Sequence, residues 1–406
     1  MRTDNMVKQS RRQLLKTGSI IGVAGLAGCV GGGNGGDDDV FTIGINHTET
    51  GDFAHLAPRY KGGYDAWEDI FQNQDVYDTD IDIEITLLDN ESQEDRANRI
   101  AEQLITEEGA NYMVSSYASP LTQAAGTIAE TEEVPHISGG SADLELHQNF
   151  DYSFQIHPPY RREISAPIIE EHGIERIAVW GVDIDFARQG LEYFVENVVP
   201  EINHEVEVVM HEYHDMDRRD FSGLVLGAEE EDAEALITTS YDIHIESQLR
   251  DIAGSSWRPD YTSCTPGESI ELYQNAGEDL MEGVCTPAVW APSYDHGLNP
   301  EFSDTYDDVV DDDVALSAHS AMGFATLELV GTALEELGED AMDGPTLQEW
   351  LENSNVETVL GPSEFDRGGQ AGIVMPELQW QNGETEVVAP LDEATSDLRY
   401  PRDWPE

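Results

Sequence analysis

Short apolar runs alternate with amphipathic stretches of 10–20 residues along most of the chain, and this rhythm constrains the fold more than any single motif does. Val40-Phe41-Thr42-Ile43-Gly44-Ile45 reads as a strand and Pro58 to Gln74 as a helix. Ile81, Ile83, Ile85 and Leu87 alternate with polar residues, as a half-buried strand requires. Ser92 to Glu108 places Ala97, Ile100, Ala101, Leu104 and Ile105 on one helical face. A strand at Tyr112-Met113-Val114, a helix from Pro120 to Thr131 and a strand at His136-Ile137-Ser138 follow. The rhythm resumes at 164–172, 177–180, 189–199, 206–213, 221–231, 235–239 and 243–253. Strands spaced by such helices predict parallel sheets covered on both faces. Gln155-Ile156-His157-Pro158-Pro159 and Trp290-Ala291-Pro292 break the pattern and read as crossovers between two such units. A long helix, Ser317 to Leu337, comes after the second break.

Composition says what surrounds these elements. The 406 residues include 83 Asp and Glu against 20 Lys and Arg, a net charge of −63. Only three of the bases are lysines (Lys8, Lys16 and Lys61). With 39% apolar residues the chain can still build a packed core, so the acid belongs to a surface and not to a disordered tail. A surface this negative excludes nucleic acid as a main partner. It resembles the surfaces of salt-loving archaeal proteins, where molar salt screens charge to within ~3 Å. Runs such as Asp311-Asp312-Asp313 therefore read as solvated faces, and no metal site or cofactor is expected from them. At ~150 residues per domain the length fits two domains or two lobes.

The first residues form an address. Ser10-Arg11-Arg12-Gln13-Leu14-Leu15-Lys16 resembles a twin-arginine export signature, with Arg11 and Arg12 as its pair. The weakly apolar stretch from Gly18 to Ala27 is too short to span a ~30 Å hydrocarbon core, and fits the middle of a signal peptide. Leu26-Ala27-Gly28-Cys29 resembles a lipobox, with Cys29 as the lipid anchor and residues 1–28 removed. Residues 29–39, rich in glycine and then aspartate, read as a flexible tether. The expected location is the outer face of the cell membrane. There Cys264 and Cys285 are free either to pair or to remain buried thiols. A bridge closing about twenty residues would add ~3 kcal/mol by chain entropy.

A family resemblance emerges from residues in order. Ile43-Gly44-Ile45 leading to Thr48-Glu49-Thr50-Gly51-Asp52-Phe53-Ala54 resembles the opening of leucine/isoleucine/valine-type substrate-binding proteins of ABC transporters. So do Asp89-Asn90-Glu91-Ser92, Val134-Pro135-His136-Ile137-Ser138, Asp220-Phe221-Ser222 and Val359-Leu360-Gly361-Pro362-Ser363-Glu364-Phe365-Asp366. The resemblance runs from about residue 40 to 390. It implies an α/β fold: two doubly wound parallel-sheet lobes joined by a three-crossover hinge, with the ligand cleft between them. Lobe 1 would be 40–157 plus 291–361 and lobe 2 158–290 plus 362–406. It implies a small-molecule ligand and ABC permease subunits as partners, and a monomer; the Arg11-Arg12 signature adds the twin-arginine export machinery. The expected function is capture of an amino acid or amide-like compound without catalysis. Alternatives are a sensor of the same fold and, with less support, an anchored hydrolase.

The cleft is also expected from the strand order, because ligands in open parallel sheets sit beyond the strands' carboxyl ends. Ser119 reads as a helix N-cap and Pro120 as the first helical residue, leaving free N–H groups suited to a carboxylate. By resemblance, Ser119, Thr122 and the loop Gly140-Ser141-Ala142 hold the carboxylate and ammonium of an amino acid. Phe186 and Tyr241 follow strands of the second lobe at aromatic contact positions. Three positions depart from the family pattern: Ala142 replaces a threonine, Thr265 replaces an acid, and Leu56 replaces an aromatic. Either Glu268 supplies the missing acid, or the ligand lacks an ammonium, as amides, urea-like compounds and organic acids do. His211-Glu212-Tyr213-His214 has the wrong spacing for a zinc helix and reads as a strand edge. Asn46-His47-Thr48 and Asn90-Glu91-Ser92 are glycosylation sequons, the first near the expected cleft.

Overall fold

The computed structural model describes residues 40–142, 150–158, 160–294, 296–311, 313–365, 375–391 and 394–405. Arg11, Arg12, Cys29 and Asp366 lie outside the described residues. The described residues form one compact unit, built as two lobes.

In the first lobe β1 (Val40–His47), α1 (Ala57–Asn73), β2 (Asp82–Asp89), α2 (Glu94–Thr106), β3 (Tyr112–Ser115), α3 (Ser119–Glu132), β4 (His136–Ser138) and β5 (Ser153–Gln155) follow in order. Their sheet runs β2-β1-β3-β4-β5, with every pair parallel. The second lobe takes α4 (Ser165–His172), β6 (Arg176–Val182), α5 (Asp185–Tyr193), β7 (Glu207–His214), α6 (Ser222–Glu230), β8 (Ala235–Thr239), α7 (Asp242–Ala253), β9 (Tyr261–Thr265), α8 (Ile270–Ala276), α9 (Glu278–Met281) and β10 (Cys285–Pro287).

The chain then returns to the first lobe. There α10 (Asn299–Val309) and α11 (Ala318–Leu337) pack on α1, and α12 (Gly344–Asn353) leads into a hairpin of β11 (Asn355–Thr358) and β12 (Gly361–Glu364). It finishes with β13 (Glu377–Gln381) and β14 (Glu384–Ala389) in the second sheet, whose order is β14-β13-β10-β9-β8-β6-β7. The chain thus passes between the lobes three times. Phe365 and Met375 both pack into the first lobe's core, where the Phe154 and Phe365 rings meet at 5.2 Å.

The second sheet differs from the expected all-parallel pattern at one edge, because β13 runs antiparallel to β10 and β14 antiparallel to β13. Asn382 and Gly383 join them, both with positive φ (60° and 87°). That is the two-residue turn Asn-Gly favours, and it closes a hairpin where a helical crossover would otherwise be needed. β7 is the opposite edge, so His211 and His214 belong to an edge strand, as their spacing suggested.

The face between α1 and α11 is the first lobe's main helical contact. Ser317 caps α11 by accepting from Ser320 N–H, and fifteen of the twenty helix residues are buried. Gly63 makes the approach possible, since a Cβ there would collide with the Ser320 carbonyl. Glu328, on the same helix, is buried and accepts the backbone N–H of Leu298 at 3.0 Å and of Val359 at 2.8 Å.

Two expectations meet corrections or limits here. Cys264 and Cys285 are free, buried thiols and not a disulfide. Cys285 is in register with Ser263, the residue before Cys264. Successive residues face opposite sides of a strand, so the thiols enter different cores, Cys264 with Leu249 and Cys285 with Ile177. Asn46 and Asn90 are both 1% exposed, and their amides donate inside the fold, to the Ala97 carbonyl at 2.8 Å and to Asn46 Oδ1 at 3.0 Å. Neither is an accessible sugar acceptor in the folded chain.

Burial pushes the Glu328 carboxyl up from 4.5 to about 8. A raised folded-state value means the proton stabilises the fold. That contribution is complete below about pH 4.5 and is lost as the pH rises toward about 8. Wild type should lose stability relative to Glu328→Gln across this window, by up to ~1.4 kcal/mol per pH unit. Denaturant unfolding of both proteins at a series of pH values checks it; parallel curves would contradict it.

Candidate functional site

The carboxyl ends of β3 and β4 in the first lobe face those of β6 and β8 in the second, and a cavity of about 550 Å³ lies between them. From the first lobe come Tyr117, Ser119, Gly140 and Ala142; from the second come Asp183, Phe186 and Tyr241. The volume suits a small organic molecule.

The loop after β3 supplies the first wall. Helix α3 begins at Ser119, one residue earlier than the sequence suggested, with Ala118 at its cap and Pro120 in its first turn. The Ser119 hydroxyl therefore does not cap the helix; it accepts from Ser141 Oγ at 3.1 Å. Ser141 is fully buried, and Ser138 Oγ accepts from its N–H at 3.0 Å. Thr122 is also fully buried and meets Ser138 Oγ at 3.3 Å. Ser141 and Thr122 thus stand behind the wall and order it, while Ser119, Gly140 and Ala142 line it.

The second lobe supplies the facing wall. Phe186 sits in the first turn of α5 and Tyr241 caps α7, and their rings are 5.6 Å apart. Tyr117 packs edge-on against Phe53 at 5.3 Å and faces this pair across the cavity. Local sequence did not single out Tyr117, Tyr160, His157 or His319. Tyr117 lay in plain view directly after β3, but His319 belongs to α11 and reaches the cleft only through the tertiary fold. His157 contacts the Pro158 carbonyl at 2.6 Å and the Tyr160 hydroxyl at 2.9 Å. Burial pushes it down to about 4, and it pushes His319 down to about 3, so both rings are neutral at pH 7.

Glu268 stands apart from the other expected residues. It lines a second cavity of about 540 Å³ with Arg59, Trp290 and His319. Its carboxylate accepts from Gly267 N–H at 2.9 Å and Thr286 Oγ1 at 3.3 Å, and burial raises its pKa above the usual range. Thr265 is fully buried, and its neighbour Pro266 borders the first cavity.

Gly140 is the tightest point of the lining. A Cβ there would run into the Ser116 carbonyl and the Tyr60 hydroxyl, whereas one on Gly139 would meet nothing nearer than Tyr60 Cε1 at 3.3 Å. Gly140→Ala should therefore cost about 1–3 kcal/mol of stability, and Gly139→Ala less than about 1. Equal denaturation midpoints for the two variants would show that the loop yields freely.

A model of the periplasmic binding protein family matches residues 40–384. Among solved structures, a leucine binding protein from Thermotoga maritima superposes with a TM-score of 0.73 at 19% identity, over 87% of this chain and 99% of that one. A branched-chain amino acid transporter substrate binding protein from Streptococcus pneumoniae, in complex with isoleucine, gives 0.72 at 18% identity, over 85% and 97%. A solute binding protein of an ABC transporter from Rhodopseudomonas palustris, in complex with 3,4-dihydroxy benzoic acid, gives 0.72 at 18% identity, over 90% and 99%.

Proposed function

Because the chain belongs to the periplasmic binding protein family, we propose that it is the extracellular, lipid-anchored receptor of an ABC importer, which captures a small polar ligand and delivers it to a permease. The observation that carries this reading is the cavity itself, whose walls come from both lobes. A ligand touching Ser119 and Gly140 on one side and Phe186 and Tyr241 on the other interacts with both walls only when they are close. Its affinity for the closed form therefore exceeds that for the open form, and by that difference it shifts the population toward closure. The closed surface is then what the permease recognises. The three passages between the lobes act as the hinge, with lobe 1 spanning 40–157 plus 291–361 and lobe 2 spanning 158–290 plus 362–406. In this scheme the twin-arginine machinery exports the chain by Arg11 and Arg12, residues 1–28 are removed, and Cys29 anchors a monomer through the 29–39 tether.

Related folds have been solved with isoleucine and with 3,4-dihydroxy benzoic acid, so amino acids, amides and small organic acids all belong in a first ligand panel. Scattering from the purified protein in molar KCl should show a smaller radius of gyration with a true ligand. Tyr241→Ala should weaken that ligand's affinity by roughly tenfold or more, as loss of a buried aromatic contact does. A panel in which nothing binds, or binding without compaction, would count against a closing receptor.

A further inference from the structure

The second cavity, of about 540 Å³, also takes its walls from both lobes, and those walls carry opposite charge. The first lobe contributes Arg59, from the first turn of α1, and residues 315–319 at the start of α11. The second lobe contributes Glu268, Glu384 and Glu386, with Ser269 and Trp380 between them in the lining. A further acid stands behind this wall, because Ser269 Oγ donates to Asp242 Oδ2 at 3.0 Å. Asp242 directly follows Tyr241, which lines the first cavity.

Arg59 is only 8% exposed. Among the described residues it is the one lysine or arginine that borders either cavity. The first cavity has only carboxylates as its charged groups, Glu94, Asp183 and Asp185, and all three are exposed at the rim. Burial lowers the Arg59 pKa, while Tyr306 and Asp242 hold it up. Burial raises that of Asp242, and the Ser269 hydrogen bond, His55 and Arg59 bring it back down. The charges that offset the burial of Asp242 thus belong to the opposite lobe. Glu268 is raised by burial and raised further by the charge of Asp242.

With the lobes apart, water and salt would reach each of these groups separately. Bringing the lobes together takes Asp242 and Glu268 out of water, which is costly for a carboxylate without a compensating charge. Arg59 is the side chain placed to supply that charge, and its burial protects the attraction from the screening that weakens exposed pairs in molar salt.

We propose that Arg59 is a positioning residue for closure: from the first lobe it balances Asp242 and Glu268 of the second, and so keeps a measurable share of the ligand-free chain closed. Removing it shifts that population toward the open form, whatever the ligand touches. This rests on the receptor reading and adds a determinant of closure outside the ligand's own contacts.

The test is small-angle X-ray scattering from the purified, ligand-free protein in molar KCl. Arg59→Gln should lower the closed-to-open ratio by at least roughly tenfold, as breaking a buried pair does, and give a larger radius of gyration than wild type. Arg59→Lys keeps the charge and should stay near wild type. Asp242→Asn added to Arg59→Gln removes the charge left behind and should bring the radius back toward the wild-type value. Asp242→Lys acts from the other lobe, leaves Arg59 in place, and should expand the protein as well. Near-ultraviolet circular dichroism separates opening, which keeps the native signal, from unfolding, which loses it. If Arg59→Gln unfolds, Asp242→Lys decides, and a wild-type radius there would overturn the proposal. Expansion of Arg59→Gln that Asp242→Asn does not reverse would overturn the pairing across the lobes and confine Arg59 to a role within the first. Wild-type radii in both single variants, with a panel ligand still compacting the wild type, would overturn the proposal and leave the receptor standing. Without compaction by any ligand, the receptor reading would fall too.

Discussion

A parallel sheet covered by helices on both faces has one edge left for chemistry, the loops beyond the carboxyl ends of its strands. Here two such edges face each other, and everything functional in the molecule follows from that arrangement. The same geometry that leaves the strand-to-helix loops irregular also points α3, α5 and α7 at the space between the lobes. The cleft thereby acquires backbone donors, and among the described residues no lysine or arginine lines it. Rings of Tyr117, Phe186 and Tyr241 stand among those loops.

The arrangement holds only if the three passages between lobes are firmly rooted. In the second lobe Arg162, just after the first passage, is 1% exposed and donates to Ser263 Oγ at 2.7 Å and Thr239 Oγ1 at 3.2 Å. Glu377, at the start of β13 after the third passage, accepts from the same Ser263 hydroxyl at 2.5 Å and from Tyr261 at 2.9 Å. Side chains of opposite charge type, each flanking a passage, thus converge on the Ser263 hydroxyl of β9, where both are buried. In the first lobe Glu328 plays the matching part, holding the backbone at Leu298 after the second passage and at Val359 in the β11–β12 turn.

The strand-helix rhythm was legible because each element buries its own apolar pattern, and a loop directly after a buried strand inherits its address from that strand. That is why Ser119, Gly140, Ala142, Phe186 and Tyr241 could be placed in the cleft before any coordinates. What sequence could not show depends on pleat, register and distant contacts. Cys264 and Cys285 lie on adjacent strands yet face opposite sides of the sheet. Glu268, three residues beyond Thr265, turns into a different cavity. His319 reaches the cleft from a helix whose pairing with α1 is set by Gly63 and Ser320. The Asn382-Gly383 hairpin takes its place in the second sheet from β10, almost a hundred residues earlier.

The uncharged interior fits the acidic exterior. At high ionic strength an exposed ion pair is screened to a few tenths of a kcal/mol or less, so a lysine at the cleft mouth would hold an anion poorly. It would also be drawn to the carboxylates that crowd the rim, as Arg188 is drawn to Asp183. Backbone N–H groups at a helix start and hydroxyls set in a buried wall lose less to salt, because counterions do not enter the space they face. Their orientation is fixed by Ser138, Ser141 and Thr122 behind them, so little ordering remains to be done when a ligand arrives.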